Sequence, residues 1–209
     1  PSSYYNTGWW AEQGKREKNK EHNKKVNEII GFFEKSLSYS KSNNTVDLKM
    51  ESMKGLFNGT KNLYLHANYA NDIIDGIDIC KRFKIKKIVL VGGEDAHKVI
   101  NHLKENNIDV ILNRVHRLPK NEDSSIDQPY IQASILHKNN IKFAFSYAGG
   151  MEAMGSRNLP FTAGTAVSYG LDYENAIKSL TLNPAEILGI DKTLGSIEQG
   201  KEATFFIYF

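Results

Sequence analysis

The sequence predicts an α/β protein, a parallel sheet covered by helices, on three observations. From Lys61 onward, four segments of β-type pattern alternate with segments of helical periodicity. Each β segment is short and close to continuously apolar, as strands buried on both faces are. The composition supplies the material for a core, with 40% hydrophobic and 24% charged residues. The connections between parallel strands would be right-handed.

The elements follow in chain order. Trp9 to Ser38 reads as one long helix, with Val26, Ile29, Ile30, Phe33 and Leu37 forming a single apolar stripe in its second half. Its first half, Glu12 to Lys25, carries six basic and three acidic residues and no such stripe. Glu12/Arg16 and Glu21/Lys25 stand at the i, i+4 spacing of an exposed helix, so a solvated face is preferred there over a patch for a polyanion. Ser36 to Asn44 reads as a polar linker, and Val46 to Phe57 as a second helix ended by Asn58-Gly59.

Strands are expected at Asn62 to His66, Ile85 to Val91, Asp109 to Asn113 and Ile141 to Phe145. Helices are expected between them at Asp72 to Phe83, Glu94 to Glu105 and about Ile126 to Lys138. A glycine-rich loop, Ser146 to Gly155, leads to Pro160, which suits the first turn of a helix from Phe161 to Tyr169 ended by Gly170. Tyr173 to Leu182 and Pro184 to Leu188 read as two further helical pieces, with Asn183 as the cap of the second. A glycine turn then feeds a last strand within Ala203 to Phe209.

Charge and cysteine content narrow the function classes. Lys and Arg number 27 against 24 Asp and Glu, a net +3 that gives no footprint for nucleic acid. A single cysteine, Cys80, forms no internal disulfide and builds no thiolate metal site. No apolar run approaches the roughly 18 to 20 residues of a membrane span. Pro1 is neither an initiator methionine nor the start of a signal peptide, and the final apolar run has no polar tail, so cuts are expected at both ends. Localisation is undetermined by these residues.

Three segments carry a family resemblance: Leu159-Pro-Phe-Thr-Ala-Gly-Thr-Ala-Val-Ser-Tyr-Gly-Leu171, Ala176-Ile-Lys-Ser-Leu-Thr-Leu-Asn-Pro-Ala-Glu-Ile-Leu-Gly189 and Leu194-Gly-Ser-Ile-Glu-Gln-Gly-Lys-Glu-Ala203. Together they resemble the closing part of amidohydrolase-superfamily enzymes, in particular the imidazolonepropionase-like and prolidase-like branches. Thr204 stands where that family usually has aspartate. The resemblance runs from about Lys61 to Ala203. It implies that the four strands are the last four of a (β/α)8 TIM-type barrel, preceded by the long helix. Residues 1–60 would then be a helical segment, 61–190 the last four βα units, and 191–209 a strand returning to a composite β-domain. A complete barrel takes about 250 residues, so this chain has room for roughly half. A half barrel exposes two sheet edges, which predicts cover by the N-terminal helices, a homo-oligomer, or reduced stability.

The resemblance also implies a metal-dependent hydrolase acting on C–N bonds other than peptide bonds, with zinc, manganese or iron held by histidines and carboxylates to activate water. Its small-molecule substrate would be met at the C-terminal ends of the strands. His66 falls where the family places a metal-ligating histidine on its fifth strand. The histidine of the sixth strand aligns with Gly92, and the aspartate of the eighth with Ala148, so the metal site is incomplete. His116 and Ser146, after the third and fourth strands, are the candidates for catalysis. Asn68, Arg114 and Arg157 are the candidates for binding substrate, the arginines through an anionic group. Each has a plainer reading beside it: His66 as a hydrogen-bonded rim residue, His116 as part of a basic loop, Arg157 as a cap on helix carbonyls. A non-catalytic domain that binds a small ligand or a protein partner is the alternative function, motivated by Gly92 and Ala148.

Overall fold

The structure is a computed structural model that describes residues 9–42, 45–113, 115–119, 124–147 and 152–204. Arg114, Ala148 and the last strand within Ala203 to Phe209 lie outside the described residues, except for Ala203 and Thr204.

Helix α1 spans Trp9–Ser40 and α2 spans Leu48–Asn58. Strand β1 (Leu63–Ala67) leads to α3 (Ala70–Arg82), and β2 (Ile88–Gly92) to α4 (Ile100–Glu105). Then come β3 (Asp109–Leu112), α5 (Gln128–Lys138) and β4 (Phe143–Phe145). Helices α6 (Leu159–Ser168), α7 (Tyr173–Lys178) and α8 (Leu182–Leu188) close the described chain. The four strands form one sheet in the order β1-β2-β3-β4, every pair parallel.

The register sorts the two faces of this sheet. Leu65 stands beside Leu90, Leu90 beside Val110, and Val110 beside Phe143, so these four share a face. They pack under the helices with Ile73, Ile77, Leu103 and Leu136, which are fully or almost fully buried. Truncating one such leucine to alanine costs about 2–5 kcal/mol. Tyr64, His66, Val89, Ile111 and Ala144 share the opposite face. There Val89, Ile111 and Ala144 meet Ile187 of α8, which forms a small second core, while Tyr64 and His66 stay exposed.

Helix α1 joins this body through its second half. Ile30, Phe33 and Leu37 pack on the main core, and the Phe33 ring stacks on Phe83 at 5.2 Å. Ile29, expected in the same stripe, is 49% exposed, so the buried stripe is narrower than the periodicity predicts. Ser36 is buried because its hydroxyl returns to Phe32 O at 2.8 Å.

Two expected elements differ in their physical detail. The helix expected from Glu94 breaks into a 3-10 turn, Ala96–Lys98, and the short α4. Residues 93 and 95 donate their N–H groups back to Ala67 O and Asn68 O, each at 2.8 Å, and those bonds hold the chain out of helical geometry. Asn183 does not cap α8, which starts one residue earlier with Thr181 before it. Its side-chain amide donates instead to Phe143 O at 2.9 Å.

Candidate functional site

Because every strand runs the same way, the segments after β1, β2, β3 and β4 gather at one end of the sheet. Catalytic and binding residues of α/β folds concentrate at such ends. Residues 67–68, 92–95, 113, 115–117 and 146–147 supply this rim.

The rim is held by hydrogen bonds between neighbouring loops. Ser146 donates its N–H to Leu112 O at 2.8 Å, and its hydroxyl reaches Leu112 O at 3.3 Å and Asn113 Oδ1 at 3.4 Å. Ser146 therefore lies beside Asn113, while no described histidine hydrogen-bonds to it. Asp95 accepts the Ala70 N–H at 3.2 Å and pairs with Lys98 at 2.9 Å. Burial pushes the Asp95 carboxyl up, but Lys98 and the Ala70 N–H together outweigh it and hold the group below its ordinary value. Arg117 faces Glu94 at 3.7 Å across the loops after β3 and β2.

A polar network behind the rim was not singled out by the sequence reading. Gln132 of α5 is buried and donates to Gly93 O. Gln128, one turn earlier on the same helix, contacts Gln132 Oε1 at 3.4 Å and His97 Nδ1 at 3.0 Å. The signal for it was a pair of glutamines four residues apart in α5, a spacing that puts both on one face.

The predicted site residues do not form one cluster. His66 is exposed near the C-terminal end of β1, on the sheet face it shares with Ile111 and Ala144 and beside Val91, and makes no hydrogen bond to a described residue. Asn68 follows β1 and turns its side chain toward Gly92. His116 is exposed and directed at the helices: its Nε2 lies 2.8 Å from Thr165 Oγ1, and its ring stands 6.3 Å from that of Tyr130. Arg157 is exposed in a 3-10 segment, Glu152–Asn158.

These residues do not fit a divalent metal. Among the described residues no three His, Cys, Asp or Glu side chains converge. A structural or catalytic site for zinc takes at least three protein ligands, and His66 brings none with it. The opposite end of the sheet holds a cavity of about 770 Å³ lined by Asn62, Tyr64, Lys87, Asp109 and Glu186 among others. It lies where the strands begin, away from the rim loops. Burial pushes the Asp109 carboxyl up, and Lys142, itself paired with Glu186 at 2.6 Å, partly offsets this.

Comparison with known proteins places this geometry. The amidohydrolase family matches residues 47–208. An imidazolonepropionase of Picrophilus torridus is 31% identical over 148 residues, which cover 69% of this chain and 35% of that protein. The crystal structure of an amidohydrolase from Thermotoga maritima superposes with a TM-score of 0.74 at 27% identity, covering 85% of this chain and 48% of the other. An adenosine deaminase from Xanthomonas campestris, solved with bound zinc, shares the fold at a TM-score of 0.50 and 18% identity, over 76% of this chain and 40% of its own. The chain thus spans between a third and a half of the length of these relatives. Since the match takes in the sheet, all four rim segments and the closing helices, this chain belongs to the amidohydrolase family.

Proposed function

We propose that this chain forms the C-terminal half of a (β/α)8 barrel in a hydrolase acting on carbon–nitrogen bonds, other than peptide bonds, of a small molecule. In this reading residues 61–190 are the last four βα units, residues 1–60 a helical segment docked beside them, and 191–209 the return to a composite β-domain. The observation that carries it is the family match over 47–208 combined with the exposed His66 near the C-terminal end of β1. The likeness to an imidazolonepropionase supports a small nitrogen-containing substrate.

His66, Asn113 and Ser146 would be the groups that meet the substrate. Ser146 offers a hydroxyl and Asn113 a carboxamide already in contact with it, groups suited to holding a polar carbonyl. Any ion of the zinc, manganese or iron type would need its ligands beyond His66 from residues other than the described ones. The test is turnover by the full-length protein of a panel of small amides, lactams and cyclic imides. His66→Ala should lower kcat/KM by roughly 10²-fold or more, as loss of a group acting on the reacting atoms does.

The second reading is a non-catalytic amidohydrolase-like domain that binds a small ligand or a protein partner. Gly92 on β2, where the family resemblance puts a histidine, favours it. Saturable binding of a panel member with no detectable turnover would select this reading over the first.

A further inference from the structure

Gly92 and Asn68 meet closely at the corner between β1 and β2. Gly92 is buried, ends β2 and has a φ of +102°, in the region that side-chain-bearing residues rarely enter. A Cβ placed on it would lie 2.3 Å from Asn68 Oδ1 and 3.1 Å from Ala67 O. Asn68 Oδ1 is buried and has no hydrogen-bond partner among the described residues. A buried amide oxygen left this way is uncommon and calls for a reason. Gly93, also left-handed at +62°, continues the bend, and its Cβ would come within 3.1 Å of Leu90. The Gly93 and Asp95 N–H groups bind Ala67 O and Asn68 O, so the backbone on both sides of the contact is pinned.

We propose that Asn68 is the built-in occupant of this corner: its carboxamide fills the volume that a metal-ligating side chain on β2 would need, and the β1–β2 corner is thereby closed to a divalent ion. Asn68 Oδ1 is directed at Gly92 and has almost no surface open to an incoming ion, and turning the amide over fills the same volume with nitrogen. His66 then has no ligand partner from the neighbouring strand, whose side chain beside it is Val91. The inference concerns metal and packing only, and holds whether or not the protein turns over a substrate.

Zinc retention and melting temperature of the full-length protein test it without reading activity. After incubation with zinc chloride and gel filtration, Gly92→His should retain no more zinc than the wild type and should melt lower. Gly92→Ala should also melt lower, and adding Asn68→Ala should recover part of that loss, because the clash disappears while the backbone strain remains. This second comparison decides the matter if Gly92→His fails to fold. Zinc gained stoichiometrically by Gly92→His at an undiminished melting temperature would overturn the proposal. So would strictly additive effects of Asn68→Ala and Gly92→Ala, or loss of wild-type metal in Asn68→Ala.

Discussion

His97 shows how a residue that looks inert in sequence becomes part of the scaffold. Its ring is partly buried and its Nδ1 faces the Gln128 amide, which requires the unprotonated nitrogen as acceptor. Burial first, and then the neighbouring Lys98 charge, hold its pKa below the ordinary histidine value. The unfolded chain therefore binds a proton that the folded one resists. The stability contributed by neutral His97 is fully present above about pH 6.5 and is lost as pH falls through the lower folded value. Wild type should lose more melting temperature than His97→Gln between about pH 7.5 and 5.5, a comparison for differential scanning calorimetry. An equal loss in both would show that the ring's protonation is not coupled to folding. Cys80 illustrates the same burial acting on an acid, its thiol pushed up to about 11, which leaves the only cysteine unreactive in the folded state.

At the scale of elements, helix α2 is set more by its ends than by an apolar stripe. Helix α2 is short and its sequence only weakly apolar, yet both of its ends are well made. The Asp47 carboxylate accepts the N–H groups of Lys49 and Met50 at 2.9 and 3.2 Å, and Gly59 ends the helix with φ +83°. Asp47 also donates its own N–H to Tyr39 Oη, which ties the cap to the end of α1. Asp47→Ala should reduce stability by about 1 kcal/mol in urea denaturation. An unchanged midpoint would mean that the α1 contact alone holds the helix start.

The sheet as a whole has two unlike edges. On β4 the Phe145 N–H donates to Ser179 O at 3.3 Å, and Phe143 O accepts the Asn183 amide at 2.9 Å. Ser179, just after α7, and Asn183, in the first turn of α8, thus cover this edge, which blunts its capacity to pair with another strand. Strand β1 pairs only with β2 among the described residues. Of the two exposed edges expected of a half barrel, one is covered by the chain itself, and a homo-oligomer built through strand pairing would use β1. Amide hydrogen exchange of the 209-residue chain by itself should show the outward amides of β1 exchanging faster than those of β4. Slow exchange on β1 would mean that further chain or a second copy covers it, and the mass in solution tells these apart.

Hydrophobic pattern alone determined much of this protein. Short apolar strands separated by helical stripes specify a parallel sheet covered by helices, because periodicity and turn chemistry are local properties of the chain, and the closing segments resemble the family. The ends of elements were less legible: Ile85 reads as strand but is a buried residue before β2, following Lys84 with φ +55°. Only the tertiary structure decided what the rim contains. It turned His116 toward Thr165, brought Ser146 to Asn113, and set the Asn68 carboxamide against Gly92. Those contacts join residues 24 to 49 positions apart in the chain. The direction of a side chain at a loop is fixed by packing with distant segments, on which its own neighbours in sequence carry no information.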